Sequence, residues 1–198
     1  MSVDLPGFAD PVLSAQSAFR AILDAMSRPG TIHGAGYGLT PPVPLTQATA
    51  ACLLTLVDAE TTLWLDDGCD AARDWIAFHC GAPFAPLETA GFALADTLPD
   101  LAALDAGSDD GPQDGTTVIL QVASLCSGQR LALAGPGLKT STMLDVDGLP
   151  DDFVSVWAAN HARFPRGIDL ILCAGDELVA LPRSVRITRV PPAKTKEA

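Results

Sequence analysis

Apolar positions run most continuously between Gly115 and Leu138, GTTVILQVASLCSGQRLALAGPGL. Along Thr116 to Leu125, Thr117, Ile119, Gln121 and Ala123 alternate with Val118, Leu120, Val122 and Ser124. Apolar residues fall on both sides of that alternation, the pattern of a strand covered on both faces. Arg130 to Ala134 alternates more cleanly, with Leu131 and Leu133 on one side. The intervening Cys126-Ser127-Gly128-Gln129 predicts a hairpin at the centre of the core, ending in the loop Gly135-Pro136-Gly137.

The rest of the chain alternates between the helical and strand periods. Asp10-Pro11 has the form of an N-cap followed by proline at the first helical position. Val12, Ala15, Phe19, Ile22, Leu23 and Met26 then recur at helical spacing until Pro29-Gly30 stops the helix. Further helices are predicted over Thr46–Val57, Asp70–His79, Leu98–Leu104 and Asp151–Ala162. Strands are predicted over Thr61–Leu65, Gly91–Ala95 and Thr142–Val146. A second hairpin is predicted from Ile168–Cys173 to Leu178–Leu181, and Arg183–Val190 reads as a half-exposed edge strand. Gly34, Gly36 and Gly38 do not make a dinucleotide fingerprint, because Pro41, Pro42 and Pro44 exclude the helix that must follow. Interleaved helices and strands predict an α/β protein, a mixed sheet between layers of helices. The expected organisation is a single domain over residues 1–198, with 191–198 a flexible tail.

Composition narrows the class. Of 198 residues, 48% are hydrophobic and 18% charged, a globular balance. No apolar run reaches the ~18 residues that span a bilayer. The N-terminus, with Asp4 and no basic segment, does not read as a signal peptide. Five cysteines without a C-x-x-C spacing read as buried free thiols in a reducing cytoplasm. The formal charge of −12 argues against nucleic-acid or anionic-membrane partners. Asp96 to Asp114 is acidic, whereas Arg163, Arg166, Arg183, Arg186 and Arg189 make the last third locally basic.

Candidate chemistry is sparse. His33, His79 and His161 share no metal-binding spacing. Gly135 and Gly137, followed by Lys139, Thr140 and Ser141, form either a turn or a nest of donors for a phosphate. Arg166 and Asp169, in FPRGID, either hold a phosphate or phosphonate bidentately or tie their own turn together. Arg183 would join Gly135, Gly137 and Arg166 if the chain is an anion-binding module. Lys139, the sole lysine in the body of the chain, is either a Schiff-base candidate for a pyridoxal-phosphate enzyme or an exposed loop lysine.

One resemblance covers most of residues 10–185. FRAILDAMSRPG (Phe19–Gly30), LLTLVDAETTLWL (Leu53–Leu65), GTTVILQVASL (Gly115–Leu125), LALAGPGL (Leu131–Leu138), FPRGIDLIL (Phe164–Leu172) and ALPR (Ala180–Arg183) occur in order. Together they resemble the PhnH family of carbon–phosphorus lyase subunits. The resemblance implies a three-layer α/β/α sandwich, similar to pyridoxal-phosphate-dependent transferases but without their cofactor site. It implies a homodimer and other carbon–phosphorus lyase core subunits as partners, with a phosphonate or nucleotide ligand and no cofactor. The complex replaces the adenine of ATP with a phosphonate. This chain is expected to support that reaction without a chemical step of its own. The later radical cleavage needs an iron–sulfur cluster, for which this chain has no cysteine triad at ligand spacing.

Overall fold

The computed structural model describes residues 5–190; the tail expected at 191–198 lies outside the described residues. Helix α1 (Pro11–Ser27) begins where Asp10 Oδ1 accepts hydrogen bonds from Val12 N and Leu13 N, with Pro11 in the first turn. It leads to a two-residue strand β1 (His33–Gly34) and to α2 (Gln47–Leu56), capped by the Thr46 hydroxyl. Strand β2 (Leu63–Leu65), a 3-10 turn over Asp67–Ala72 and α3 (Arg73–Cys80) follow. Strands β3 (Phe92–Ala95), β4 (Thr117–Gln121), β5 (Ser124–Ala134) and β6 (Thr142–Asp147) come next. Helix α4 (Phe153–His161) and strands β7 (Asp169–Ala174), β8 (Glu177–Leu181) and β9 (Arg186–Arg189) complete the described chain.

The expected α/β class and mixed sheet are present. Six strands order as β1-β8-β7-β4-β3-β2, with β2, β3, β4 and β7 parallel and β8 and β1 added antiparallel. A separate antiparallel sheet orders as β6-β5-β9. On one face of the large sheet, Ile22 of α1, Leu53 of α2 and Trp75 and Ile76 of α3 pack against Leu94, Ile119 and Ile171. On the other, Leu131, Leu133, Leu144 and Ile187 of the small sheet join Phe153 and Trp157 of α4 against Val118, Leu120, Leu170 and Leu172. The two flanks therefore differ: one is helical, the other is a sheet with one helix.

Three local expectations are corrected. Gly115–Leu138 is not a hairpin. β4 pairs in parallel with β3 and β7, and the chain leaves the large sheet after Gln121. A strand apolar on both faces belongs between parallel neighbours, whereas the one-sided Leu131–Leu133 alternation suits an outer sheet lying on the core. Leu98–Leu104 forms turns and no helix. Asp100 Oδ1 accepts from Ala102 N at 2.9 Å, and that local bond displaces the helical ladder while Leu101 and Leu104 are buried. In α1 the buried residues are Ala18, Ile22 and Ala25; Val12, Phe19 and Leu23 remain exposed.

Candidate functional site

Asp169 opens β7 directly after the Phe164–Gly167 turn, and Arg183 leaves β8 beside it. Asp169 Oδ1 accepts from the backbone N of Arg183 at 2.7 Å, and its Oδ2 accepts from Arg183 Nη2 at 2.6 Å. Arg183 Nε donates to both carboxylate oxygens at 3.1 Å, and Arg183 Nη1 donates to the Pro112 carbonyl. The two side chains retain only 11% and 15% of their exposure. Each nitrogen of this guanidinium already donates, and an anion taking the place of Asp169 would have to displace a bidentate, largely desolvated partner.

The surroundings are a clamp. Asn160 closes the turn on both sides: its Oδ1 accepts from Ile168 N at 2.8 Å and its Nδ2 donates to Ile168 O at 2.9 Å. Gly167 N donates to Ala106 O at 2.9 Å, and His161 Nδ1 lies 2.9 Å from Arg183 O. Arg166 points outward and pairs with Asp109 at 3.2 Å, with side-chain exposures of 45% and 81%. The acidic stretch Asp105–Asp114 is thus docked from the chain's basic third, through Arg183 on Pro112 and Arg166 on Asp109. Sequence reasoning missed Pro112, Asp109 and Asn160. The opposite charges of the two segments were the one available signal.

Gly135 and Gly137 serve close packing. A Cβ on Gly137, whose φ is +83°, would stand 2.1 Å from Ser27 O. One on Gly135 would stand 3.1 Å from Ser184 O, immediately after Arg183. Leu138 N already donates to Gly135 O at 3.2 Å, which removes one amide from any anion nest. The structure thus joins Asp169 to Arg183 and places Gly135 beside the segment that follows. Gly137 sits apart, against the end of α1, and Lys139 is exposed on the same loop. Arg166 is the cation of the set whose present partner is a solvent-exposed carboxylate.

A second polar group, also missed, lies at the carboxyl ends of the parallel strands. Asp66 follows β2 and Asp96 follows β3. A hydrogen bond with Asp66, then burial and the Asp66 charge, raise the Asp96 carboxyl above its ordinary value. Gly68 makes room for it, since a Cβ there would stand 2.2 Å from Asp96 Oδ2. Gln121, at the end of β4, accepts from Thr46 N at 2.9 Å and donates to Cys69 Sγ at 3.8 Å. Burial, followed by the charges of Asp96 and Asp66, pushes the Cys69 thiol up to about 12. Burial alone does the same to Cys80. Cys52 and Cys173 face each other with sulfurs 3.9 Å apart, and that hydrogen bond, with burial, raises the Cys52 thiol well above its ordinary value. Cys52, Cys69 and Cys80 are therefore protonated core thiols, unsuited to nucleophilic work. Cys126 is exposed.

Comparison with known proteins gives a consistent result. The family described as bacterial phosphonate metabolism protein (PhnH) matches residues 6–188. The chain is 40% identical over 188 residues to the alpha-D-ribose 1-methylphosphonate 5-triphosphate synthase subunit PhnH of Rhizobium meliloti (strain 1021), covering 92% of this chain and 94% of that one. It is 34% identical over 179 residues to HtxG of Stutzerimonas stutzeri, provisionally assigned as a C-P lyase subunit, covering 87% of this chain and 85% of the relative.

Proposed function

Because the chain belongs to the PhnH family of bacterial phosphonate metabolism proteins, we propose that it is a subunit of a carbon–phosphorus lyase core complex. In that role it supports formation of a ribose 1-phosphonate 5-triphosphate from ATP and a phosphonate. The observation that carries the reading is the 40% identity, across nearly the whole of both chains, to a named subunit of that synthase. The chain acts as one domain in the ATP-containing cytoplasm, as a homodimer joined to the other core subunits, and performs no chemical step alone. Its inert buried thiols and the largely buried Arg183–Asp169 pair support a scaffolding role. The likeness to pyridoxal-phosphate-dependent transferases belongs to the same reading, supported by a mixed sheet covered on both faces. Lys139, exposed on its loop, lacks the burial that activates a Schiff-base lysine.

Where the subunit meets an anionic ligand, Arg166 is the residue that would do so. Asp109 can be exchanged for a phosphate or phosphonate there, because an exposed pair contributes only about 0–1 kcal/mol. Asp169 and Arg183 then hold the turn that presents Arg166, with Gly135 packed against the backbone that follows Arg183 and Gly137, against the end of α1, holding the far side of its own loop. The test is affinity capture of the tagged chain from phosphate-starved cells, with the co-purifying proteins identified. Stoichiometric recovery of the other synthase subunits is expected. Recovery of the chain alone, at the yield of an untethered protein, would overturn the assignment.

A further inference from the structure

Strand β5 does not run evenly beside β6. Ser124 stands opposite Asp147 and Gln129 opposite Val146, so β5 advances five residues while β6 advances one. The excess bows outward with Cys126, Ser127 and Gly128 exposed. It closes at Gly128, whose φ is +92° and where a Cβ would stand 2.4 Å from Val146 O. Irregularities of this kind re-aim side chains at the end of a sheet. Here a hollow of about 820 Å³ lies between this bulge, the end of β9 and the segment leading into α4, within the roughly 300–1,000 Å³ of small-molecule sites. Its lining carries both signs of charge. Arg130 of β5 and Arg189 of β9 meet there because Val190 N donates to Arg130 O at 2.9 Å. Each is loosely held: Arg130 Nε lies 3.7 Å from Asp145, and Arg189 Nη2 lies 3.3 Å from the fully exposed Asp151. Exposed pairs of this length contribute little, so both guanidinium groups are free to turn to a ligand. Asp147 and Asp151 line the same hollow, and Leu149 and Val190 add an apolar side. Gln129 Nε2 donates to the carbonyls of Leu149 and Pro150 at 2.8 and 2.9 Å. That fixes the amide and leaves its Oε1 buried with no hydrogen-bond partner among the described residues, a cost that calls for a donor.

We propose that this hollow binds a nucleoside triphosphate as its magnesium complex. A bare anion would meet two carboxylates beside the arginines, and a basic peptide would meet the arginines. A magnesium triphosphate answers both signs. Arg130 and Arg189 take phosphate oxygens, for which the planar guanidinium is suited. Asp147 and Asp151 are available to the magnesium through its bound waters, since this ion is commonly held by one or two carboxylates together with substrate phosphates. The apolar side receives the base, and an amino or hydroxyl group of the nucleoside seated against Leu149 supplies the donor that Gln129 Oε1 lacks. The inference rests on the proposed function, whose reaction consumes ATP and a phosphonate. It gives the two substrates separate places, the small phosphonate at Arg166 and the nucleotide at the β5 bulge.

Isothermal titration calorimetry of the purified full chain with MgATP, circular dichroism confirming the fold of each variant, tests it. Saturable binding at one site per chain is expected. Arg130→Ala and Arg189→Ala should each weaken it by about tenfold or more, the loss of one charge-assisted hydrogen bond. The double variant R130A/R189A should abolish it. Asp147→Asn should shrink the difference between the affinity in magnesium and the affinity in a chelator. Arg20→Ala, at an exposed position of α1, should leave binding unchanged. No saturable binding of MgATP overturns the proposal, and so does binding that the folded double variant retains. Inorganic tripolyphosphate bound as tightly as ATP overturns the assignment of the apolar side to the base. A chain that does not bind MgATP yet is captured with the other synthase subunits overturns this site and leaves the proposed function standing. A chain that binds MgATP through both arginines yet is captured with none of them supports this site and overturns the proposed function.

Discussion

At the scale of single residues, the groups of greatest consequence were visible in the sequence, but their pairings were not. Arg183 and Asp169 were both legible as charged residues flanking strands. The sequence left open whether they would wait for a ligand or bind each other, because that depends on β7 and β8 running side by side. The structure shows them consumed by one another. Arg183→Ala is therefore expected to cost about 3–5 kcal/mol, the penalty for stranding a desolvated carboxylate. Arg183→Met combined with Asp169→Leu should cost clearly less. Urea midpoints of the three proteins measure both. Asp66 and Asp96 were not legible at all, being 30 residues apart in number and adjacent only because β2 pairs with β3. The Asp96 carboxyl is raised in the fold, so the native state holds its proton to higher pH than the unfolded chain. Stability falls as pH rises through the window between those two values. Asp96→Asn should flatten that part of the profile and raise the melting temperature slightly at neutral pH, the gain being small because Asp96 is exposed.

At the scale of elements, periodicity and caps identified most helices and strands to within a few residues. The Asp10 cap and the β7–β8 hairpin both stand where capping and turn chemistry placed them. What the pattern could not supply was partnership. Two apolar runs separated by a glycine-containing turn read as a hairpin, yet β4 and β5 belong to different sheets. The difference between a strand apolar on both faces and one apolar on a single face was present in the residues, and it was the clue to that separation. The Gly135–Gly137 loop was ambiguous for the same reason: its glycines are needed for an approach to Ser27 and Ser184 that only the fold reveals. Gly137→Ala should destabilise by about 1–3 kcal/mol, from its left-handed backbone and the carbonyl it would meet. Thermal unfolding checks this. The same substitution at Gly38, where a Cβ meets nothing within 4 Å, isolates the backbone part, since its φ is +82°.

At the scale of the whole molecule, the large sheet has its faces covered by unlike layers, and Arg166, Asp169 and Arg183 gather near the amino end of β7, where a clamp ties the acidic stretch to the basic one. The ordered motifs made the family legible from the residues themselves, because they are spread along the chain and each sits on a fold-determining element. Function within the complex is less legible, since it resides in surfaces that meet other proteins. Such surfaces leave only exposed apolar stripes and displaceable ion pairs in a single chain. The proposed role is support of a synthase, with no chemistry by this chain alone. The most direct measurement is release of adenine from ATP in the presence of a phosphonate, by the purified chain, by the remaining subunits, and by their mixture. None is expected from the chain alone, and more from the mixture than from the remaining subunits. Adenine release by the isolated chain at the rate of the mixture would contradict it.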